Sequence, residues 1–293
     1  MSLYAFVGAM ETGFAFALVA LGAYVTFRVL DFPDLTVEGS FPLGAAVSAA
    51  LMLGGMNPWL ATFCAAIAGA AAGLVTAVLN LKFRILNILA GILTAIALYS
   101  VDLRVMGRPN IGLIGINTVY TTVEHLGVPS FYVPVTLLAA FVIVFKLLLD
   151  FFLSTGYGLA MRAAGANPRM ARANGINVER MVYLGLAIGN ALTAMSGALF
   201  AQMLGAADVS MGIGVIAVAL AAVIGGTALL PSRVVAVATL ACIAGSILYR
   251  LVLALALSSN SVGFTASDVN LVTAILVTVA LYMPGRKPKF SKP

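Results

Sequence analysis

Residues 133–153 read VPVTLLAAFVIVFKLLLDFFL, an almost unbroken apolar stretch in which Lys146 and Asp150 are the only charged residues. A helix needs about 20 residues to cross the hydrocarbon core of a bilayer, so this stretch has the length of one membrane span. Eight further apolar stretches lie on either side of it, near Ala9–Val29, Ser40–Met56, Trp59–Leu79, Ile85–Met106, Met181–Met203, Met211–Leu230, Val234–Leu257 and Asn270–Met283. The sequence therefore predicts about nine spans.

The composition of the chain agrees with a membrane protein. Of its 293 residues, 62% are hydrophobic and 9% are charged, whereas soluble domains average about 45–50% apolar and about 25% charged residues. The 29 glycines suit helices that pack closely in lipid, and the alternating pattern of barrel strands is absent. We predict an all-α, polytopic transmembrane helical bundle in which residues 1–293 form a single domain.

The distribution of Lys and Arg residues predicts the orientation of the chain. With nine spans most of them fall on one side, which the positive-inside rule identifies as the cytoplasm. The largest groups lie in the middle loop, residues 154–178, and in the C-terminal tail, residues 284–293. We expect an outside N-terminus and a cytoplasmic C-terminus in the inner membrane of a bacterium. The net charge of +6 is then loop charge, with no nucleic acid as partner.

Two stretches indicate a weak internal repeat. Residues 34–55 read DLTVEGSFPLGAAVSAALMLGG, and residues 208–226 read DVSMGIGVIAVALAAVIGG. Each opens with Asp, an apolar residue, a hydroxyl residue and an apolar residue, and each closes on Gly-Gly. Because five spans separate the two, the halves have opposite orientations, and inverted repeats of this kind hold a substrate path between them.

The middle loop carries a helix–break–helix pattern. Residues 154–180 read STGYGLAMRAAGANPRMARANGINVER. A short helix is predicted over Leu159–Gly165, and Asn167-Pro168 interrupts it because a residue before proline avoids helical geometry. The proline then opens a second helical turn, which Gly175 suits as its end.

This loop resembles the coupling loop of permeases in the branched-chain amino acid and ribose importer family, which carry a G-x-x-x-R-A-x-x-x-N-x-x-A-A-x-x-x-G-I-N pattern. Arg172 departs from the second small residue of that pattern. The resemblance implies that the loop contacts an ATPase subunit. The residues expected to make this contact are Gly156, Tyr157, Gly158, Arg162, Ala163, Gly165, Asn167, Pro168, Ala171 and Gly175.

A second resemblance begins at residue 31, where DFPDLTVEGSFPLGAAVSA matches the family's N-L-x-x-G-x-F/M-x-L-G-A-x-V-A element. Glu38 then either lines the pathway or caps the second span, since acidic residues favour helix N-termini. Polar residues within spans either line the solute path or bond helices together. The candidate path residues are Thr36, Glu38, Ser40, Asn87, Thr94, Asn190 and Ser210.

The resemblance covers nearly the full chain and is closest to a subgroup linked in bacteria to uptake of tryptophan or related amino acids. It implies a permease that moves a small solute, most simply an amino acid, by alternating access. Its partners are expected to be a second permease copy forming a homodimer, two cytoplasmic ATPases, an extracytoplasmic solute-binding protein and membrane lipid.

Motifs that are missing from the sequence limit its chemistry. It has no G-x-x-x-x-G-K-[ST] phosphate loop, no H-E-x-x-H motif and no Cys/His metal pattern. We therefore expect a transport subunit that is not an enzyme and holds no cofactor, with ATP and Mg in the partner ATPase. The alternatives are an ion-coupled secondary transporter, which needs ionisable groups within the spans, and the same importer with a sugar or nucleoside substrate.

Overall fold

The computed structural model of the chain describes residues 3–124, 131–232, 234–258 and 278. In this part the chain forms helices and two short strands. The helices are α1 (Leu3–Ala23), α2 (Val37–Leu53), α3 (Pro58–Leu81), α4 (Asn87–Met106), α5 (Val119–Glu124), α6 (Val133–Ser154), α7 (Gly156–Ala166), α8 (Pro168–Ala173), α9 (Val178–Leu204), α10 (Val215–Leu229) and α11 (Val235–Ser258), and the strands are β1 (Asn110–Gly112) and β2 (Ala206–Asp208).

The described helices confirm the predicted helical membrane bundle. Seven stretches are long and apolar enough to cross a membrane, and α2 is a shorter apolar helix. These eight correspond to the first eight predicted spans, with α1 beginning earlier, at Leu3, and α2 at Val37. The ninth predicted span, Asn270–Met283, and the basic tail 284–293 lie outside the described residues.

The passage from α1 to α2 is irregular. A π-helical turn, Tyr24–Val29, continues α1, and Asp31 has a φ of 54°, in the region that L-residues rarely adopt. The backbone N–H of Thr36 donates to the Asp34 carboxylate at 2.9 Å, a local turn that aspartate side chains commonly make. The chain thereby turns back between the other helices before α2 begins.

Small residues set the distances between the helices. A Cβ at Gly69 or Gly73 in α3 would collide with backbone carbonyls of α9, and a Cβ at Gly44 in α2 would collide with the backbone of Ala194. Glycine at these positions lets the backbones touch, as is usual where lipid supplies no hydrophobic drive between helices. Helix α9 thus packs closely against both α2 and α3 in the core.

The helix pairs of the first half of the chain have counterparts in the second half. Helix α3 lies against α9, and α11 lies against α1; likewise α2 lies against α3, and α10 against α11. When α1, α2, α3, α4, α6, α9, α10 and α11 are counted as spans 1 to 8, the pair α3–α9 is 3–6 and the pair α11–α1 is 8–1. Adding five to spans 1–3 and subtracting five from spans 6–8 converts one pair into the other. The inverted repeat itself stays a prediction, because its last segment lies outside the described residues.

A short ribbon joins the loop after α4 to the segment between α9 and α10. Strands β1 and β2 pair antiparallel with Asn110 opposite Asp208, and the Asn110 side-chain amide donates to the Asp208 carboxylate at 3.0 Å. A 3-10 turn, Val209–Gly212, follows β2 directly and leads into α10. The loop after α4 is therefore fixed to the start of the seventh predicted span.

Candidate functional site

The centre of the candidate site is a hydrogen-bond network that involves Asp34, Asn190 and Ser40. The Asn190 amide nitrogen donates to the Asp34 carboxylate at 2.7 Å and to the Leu186 carbonyl at 3.0 Å. The Ser40 hydroxyl donates to the Asn190 side-chain oxygen at 2.6 Å. All three side chains are fully buried, so the network joins the irregular passage before α2 to the middle of α9.

A chain of threonines extends the network toward α3 and α4. The hydroxyls of Thr36 and Thr76 lie 2.7 Å apart, and Thr76 donates to Thr94 at 2.9 Å. Thr94 in turn donates to the Ala90 carbonyl at 3.0 Å. Every hydroxyl therefore has a partner, as buried polar groups require, and four elements meet at one polar centre.

The structure thus brings together Thr36, Ser40, Thr94 and Asn190 among the predicted path residues, and it adds Asp34 and Thr76. The sequence signal for Asp34 was its place at the start of the Asp–apolar–hydroxyl pattern, which indicates the internal repeat. Gly69, Gly73 and Thr76 are spaced four and three residues apart in α3, so they share one helix face. Thr76 adds a hydroxyl group to this row of small residues.

Beside this network lies a cavity of about 390 Å³. Glu38 lines it, is half-buried, and lies near the backbone N–H of Gly214. The remaining lining residues come from α2, α4 and the turn before α10, namely Gly39, Pro42, Ala95, Ile96, Tyr99, Ser100, Asp102, Val209, Gly212 and Ile213. The wall is mostly apolar, with carboxylates as its charged groups.

Two predicted path residues lie elsewhere. Asn87, at the start of α4, accepts from the Asn80 amide at 2.6 Å, so it joins α3 to α4 away from the cavity. Ser210 is exposed and bonds through its hydroxyl and its backbone N–H to Asp208. These bonds, with the Asn110 amide, lower the pKa of Asp208 below its ordinary value.

The predicted coupling segment forms α7 and α8. Thr155 caps α7 by accepting from the Gly158 N–H at 3.4 Å, and Asn167 caps α8 by accepting from the Met170 N–H at 3.1 Å. The break at Asn167 follows the prediction, although α7 begins earlier, at Gly156. Gly175 has a φ of 80° and ends the unit, as glycine often does.

One face of this unit is buried and the other is free. Gly158, Met161 and Ala164 are buried against the bundle. A Cβ at Gly165 would collide with the carbonyl of Val29, at the end of the π-helical turn. The exposed face carries the predicted contact residues Tyr157 and Arg162, together with further cations at Arg169, Arg172 and Arg180.

An ion pair inside the membrane region was missed by sequence reasoning. Lys146 and Asp150, one turn apart in α6, form a salt bridge at 2.6 Å with both side chains mostly buried. The Thr239 hydroxyl in α11 donates to Asp150 at 2.7 Å. Charged residues at membrane depth commonly pair in this way, and here the pair fixes α6 to α11.

The sequence matches known transport proteins along its length. Residues 6–283 match the family described as a branched-chain amino acid transport system permease component. The chain is 39% identical over 275 residues to the tyrosine transport system permease protein of Clostridioides difficile, covering 94% of this chain and 90% of that one. It is 30% identical over 194 residues to a nucleoside ABC transporter permease protein of Lactococcus lactis, covering 58% of each chain.

The fold is similar to a solved structure, PsaBC from Streptococcus pneumoniae in complex with Fab. The TM-score is 0.53 at 16% identity, and the match covers 99% of this chain and 95% of that one. Membership of the family implies an ATPase and a solute-binding protein as partners, with ATP used in the partner subunit. The chain belongs to the family of branched-chain amino acid transport system permease components, and it is a multi-pass membrane permease subunit of an ABC transporter.

Proposed function

We propose that this permease imports an amino acid with an aromatic or large apolar side chain, driven by ATP hydrolysis in its partner. The observation that carries the proposal is the match over 90% of the length of a permease named for tyrosine transport. The mostly apolar cavity beside Glu38 is consistent with such a side chain. A nucleoside is the alternative substrate, because a second relative is named for nucleosides.

Motion is transmitted from the ATPase through α7 and α8. An ATPase that contacts the exposed face of α7 pushes on Gly165, which touches the backbone of Val29 and Leu30. The Leu30 side chain in turn lies against Gly185 of α9. Asp34, the centre of the buried network, follows only four residues later, so the shortest route from the ATPase to the path runs through this passage.

Alternating access then consists of making and breaking the buried network. In the described conformation Asp34, Asn190 and Ser40 hold α2 against α9. Separating the two helices exposes the same polar groups to water and to solute, which replaces the lost bonds. Exchange between protein partners and water or solute would give this polar centre two arrangements, as a two-state element requires.

The assembly we propose is a homodimer in the bacterial inner membrane, each copy a single membrane domain. The N-terminus is outside, and α7 and α8 face the cytoplasm and the two ATPases. The positive-inside rule supports this orientation, since Arg162, Arg169 and Arg172 lie on that face. A solute-binding protein delivers its ligand to the opposite side.

The test is uptake of L-tyrosine into proteoliposomes that contain the permease, the ATPase and the solute-binding protein. Arg162→Glu is expected to abolish ATP-dependent uptake, because it reverses a charge on the proposed contact face. The matched control is Arg104→Glu, which makes the same substitution at an exposed residue in the last turn of α4. This variant is expected to keep uptake. Full uptake by the Arg162 variant would contradict the coupling assignment.

Two further results separate the alternatives. Uptake that continues without ATP and stops with a proton uncoupler indicates a secondary transporter. Inhibition of tyrosine uptake by excess uridine, with uptake of labelled uridine itself, indicates a nucleoside carrier. With the proposed substrate, excess uridine leaves tyrosine uptake unchanged.

A further inference from the structure

Asp102 is an anomaly in α4. Its side chain is fully buried, and neither carboxylate oxygen has a hydrogen-bond partner among the residues that the structure describes. By contrast Asp34, equally buried, accepts from Thr36 and Asn190. An unpaired carboxylate away from water is costly unless something compensates it, and such a residue within a span is a functional candidate.

The position of Asp102 beside the cavity indicates what could supply its missing partner. It stands in the wall of the cavity that Glu38 also lines. The backbones of α2 and α4 meet at Gly39, where a Cβ would lie 2.8 Å from the Cα of Ala95. Asp102 lies seven residues beyond Ala95, about two helical turns, and both Glu38 and Asp102 are among the residues that line the cavity near this crossing.

The charge of this wall is one-sided. Among the described residues that line it are the two acidic residues Glu38 and Asp102, a hydroxyl at Ser100 and a phenol at Tyr99, and no Lys, Arg or His. The Glu38 carboxylate is half-buried and lies near the backbone N–H of Gly214. The other lining groups, such as Pro42, Ile96 and Ile213, are apolar.

We infer that this cavity is the permease's own recognition site for the ammonium group of the solute, with Glu38 as its direct acceptor and Asp102 as a second carboxyl group beside it. This rests on the proposed function and deepens it. An ammonium group offers three donors, and the apolar wall accommodates a hydrophobic side chain. The site favours amines over neutral sugars and over acids that lack the amino group.

The charge of the cavity is measurable without transport. In the intact transporter in proteoliposomes, with Cys64 and Cys242 replaced by alanine, Ser100→Cys places one thiol on the wall. A trimethylammonium methanethiosulfonate is expected to react at least about tenfold faster than its sulfonate counterpart, relative to a free thiol, since a charged cleft concentrates ions of the opposite sign. Tyr99→Cys is the second reporter position.

Three variants identify the source of that preference. Asp102→Asn and Glu38→Gln are each expected to lower it several-fold. The matched control is Glu179→Gln, which removes an exposed carboxylate at the start of α9 and leaves the preference unchanged. Equal reaction rates for the two reagents, or a preference that persists in both cavity variants, would overturn the inference.

Protection of the thiol tests the ligand class. L-tyrosine and tyramine at millimolar concentration are expected to slow labelling, whereas 3-(4-hydroxyphenyl)propionate, which lacks the amino group, does not. Equal protection by the deaminated acid, or protection by Mn²⁺ and by neither amine, would refute an ammonium site. Loss of ATP dependence in the uptake assay would refute the proposed function and leave these labelling results intact.

Discussion

The polar residues of the core fall into two kinds according to whether their bonds are complete. Asn190 uses both amide hydrogens and its oxygen, on Asp34, Leu186 and Ser40. Asp102, although equally buried, has unpaired oxygens among the described residues. A satisfied group stabilises the fold, while an unsatisfied one costs stability and is retained for another use. Replacing Asn190 is therefore expected to lower the stability of the fold, whereas replacing Asp102 is expected not to lower it.

Asn190→Leu is expected to destabilise the protein by about 3 kcal/mol, because it leaves the buried Asp34 carboxylate without its side-chain donor. Thermal unfolding of the detergent-solubilised protein measures this loss. The exchanged pair, Asp34→Asn with Asn190→Asp, keeps a carboxylate–amide bond and is expected to recover most of it. If the stability losses of the two single substitutions simply add in the double variant, the pairing of Asp34 with Asn190 is contradicted.

At the scale of elements, much of the fold follows from local signals. The apolar stretches, the Asn167-Pro168 break and Gly175 predicted the main helices and the α7–α8 unit, since span length and capping are local properties. The π-helical turn, the β1–β2 ribbon and the role of Thr76 were not predicted. The ribbon and the bonds of Thr76 depend on residues far apart in the chain, such as Asn110 and Asp208, which no local pattern brings together.

The contact between α3 and α9 predicts a steric effect. Gly73→Ala is expected to cost about 1–3 kcal/mol by overpacking, since the added methyl group meets the Leu186 carbonyl. Gly8→Ala is the matched control, because a Cβ there has no neighbour within 4 Å and alanine favours a helix. The unfolding temperatures of both variants are compared, and an unchanged value for the Gly73 variant would count against this packing.

The ribbon predicts a dependence on pH. Since hydrogen bonds lower the pKa of Asp208 in the folded chain, they stabilise the ribbon fully above the ordinary aspartate value of about 4, and this contribution is lost as pH falls through the lowered pKa. Amide exchange at Val209, whose N–H donates to the Pro109 carbonyl, is compared with that in Asp208→Asn at each pH. The difference is expected to shrink in acid; a constant difference would argue against it.

At the scale of the whole molecule, the helices present apolar side chains on the outside of the bundle. Leu147, Leu148 and Phe151 on α6 are examples, each more than half exposed. Polar groups gather inside or at the ends. The composition predicted a helical membrane bundle, but which polar residues meet in its centre depends on the packing of α2, α3, α4 and α9.

The orientation is testable with single cysteines. Arg169→Cys, on exposed α8, is expected to react with a membrane-impermeant maleimide only in inside-out vesicles. Ile114→Cys, in the loop after β1 where the side chain is 93% exposed, is expected to react only from outside. Labelling of both from the same side would contradict the proposed topology.

The ribbon of β1 and β2 has a mechanical consequence. Its second strand leads directly into Val209 and Gly212, which belong to the wall of the cavity, while its first strand belongs to the loop after α4. A protein that binds this loop is therefore expected to move the wall of the cavity through Val209 and Gly212.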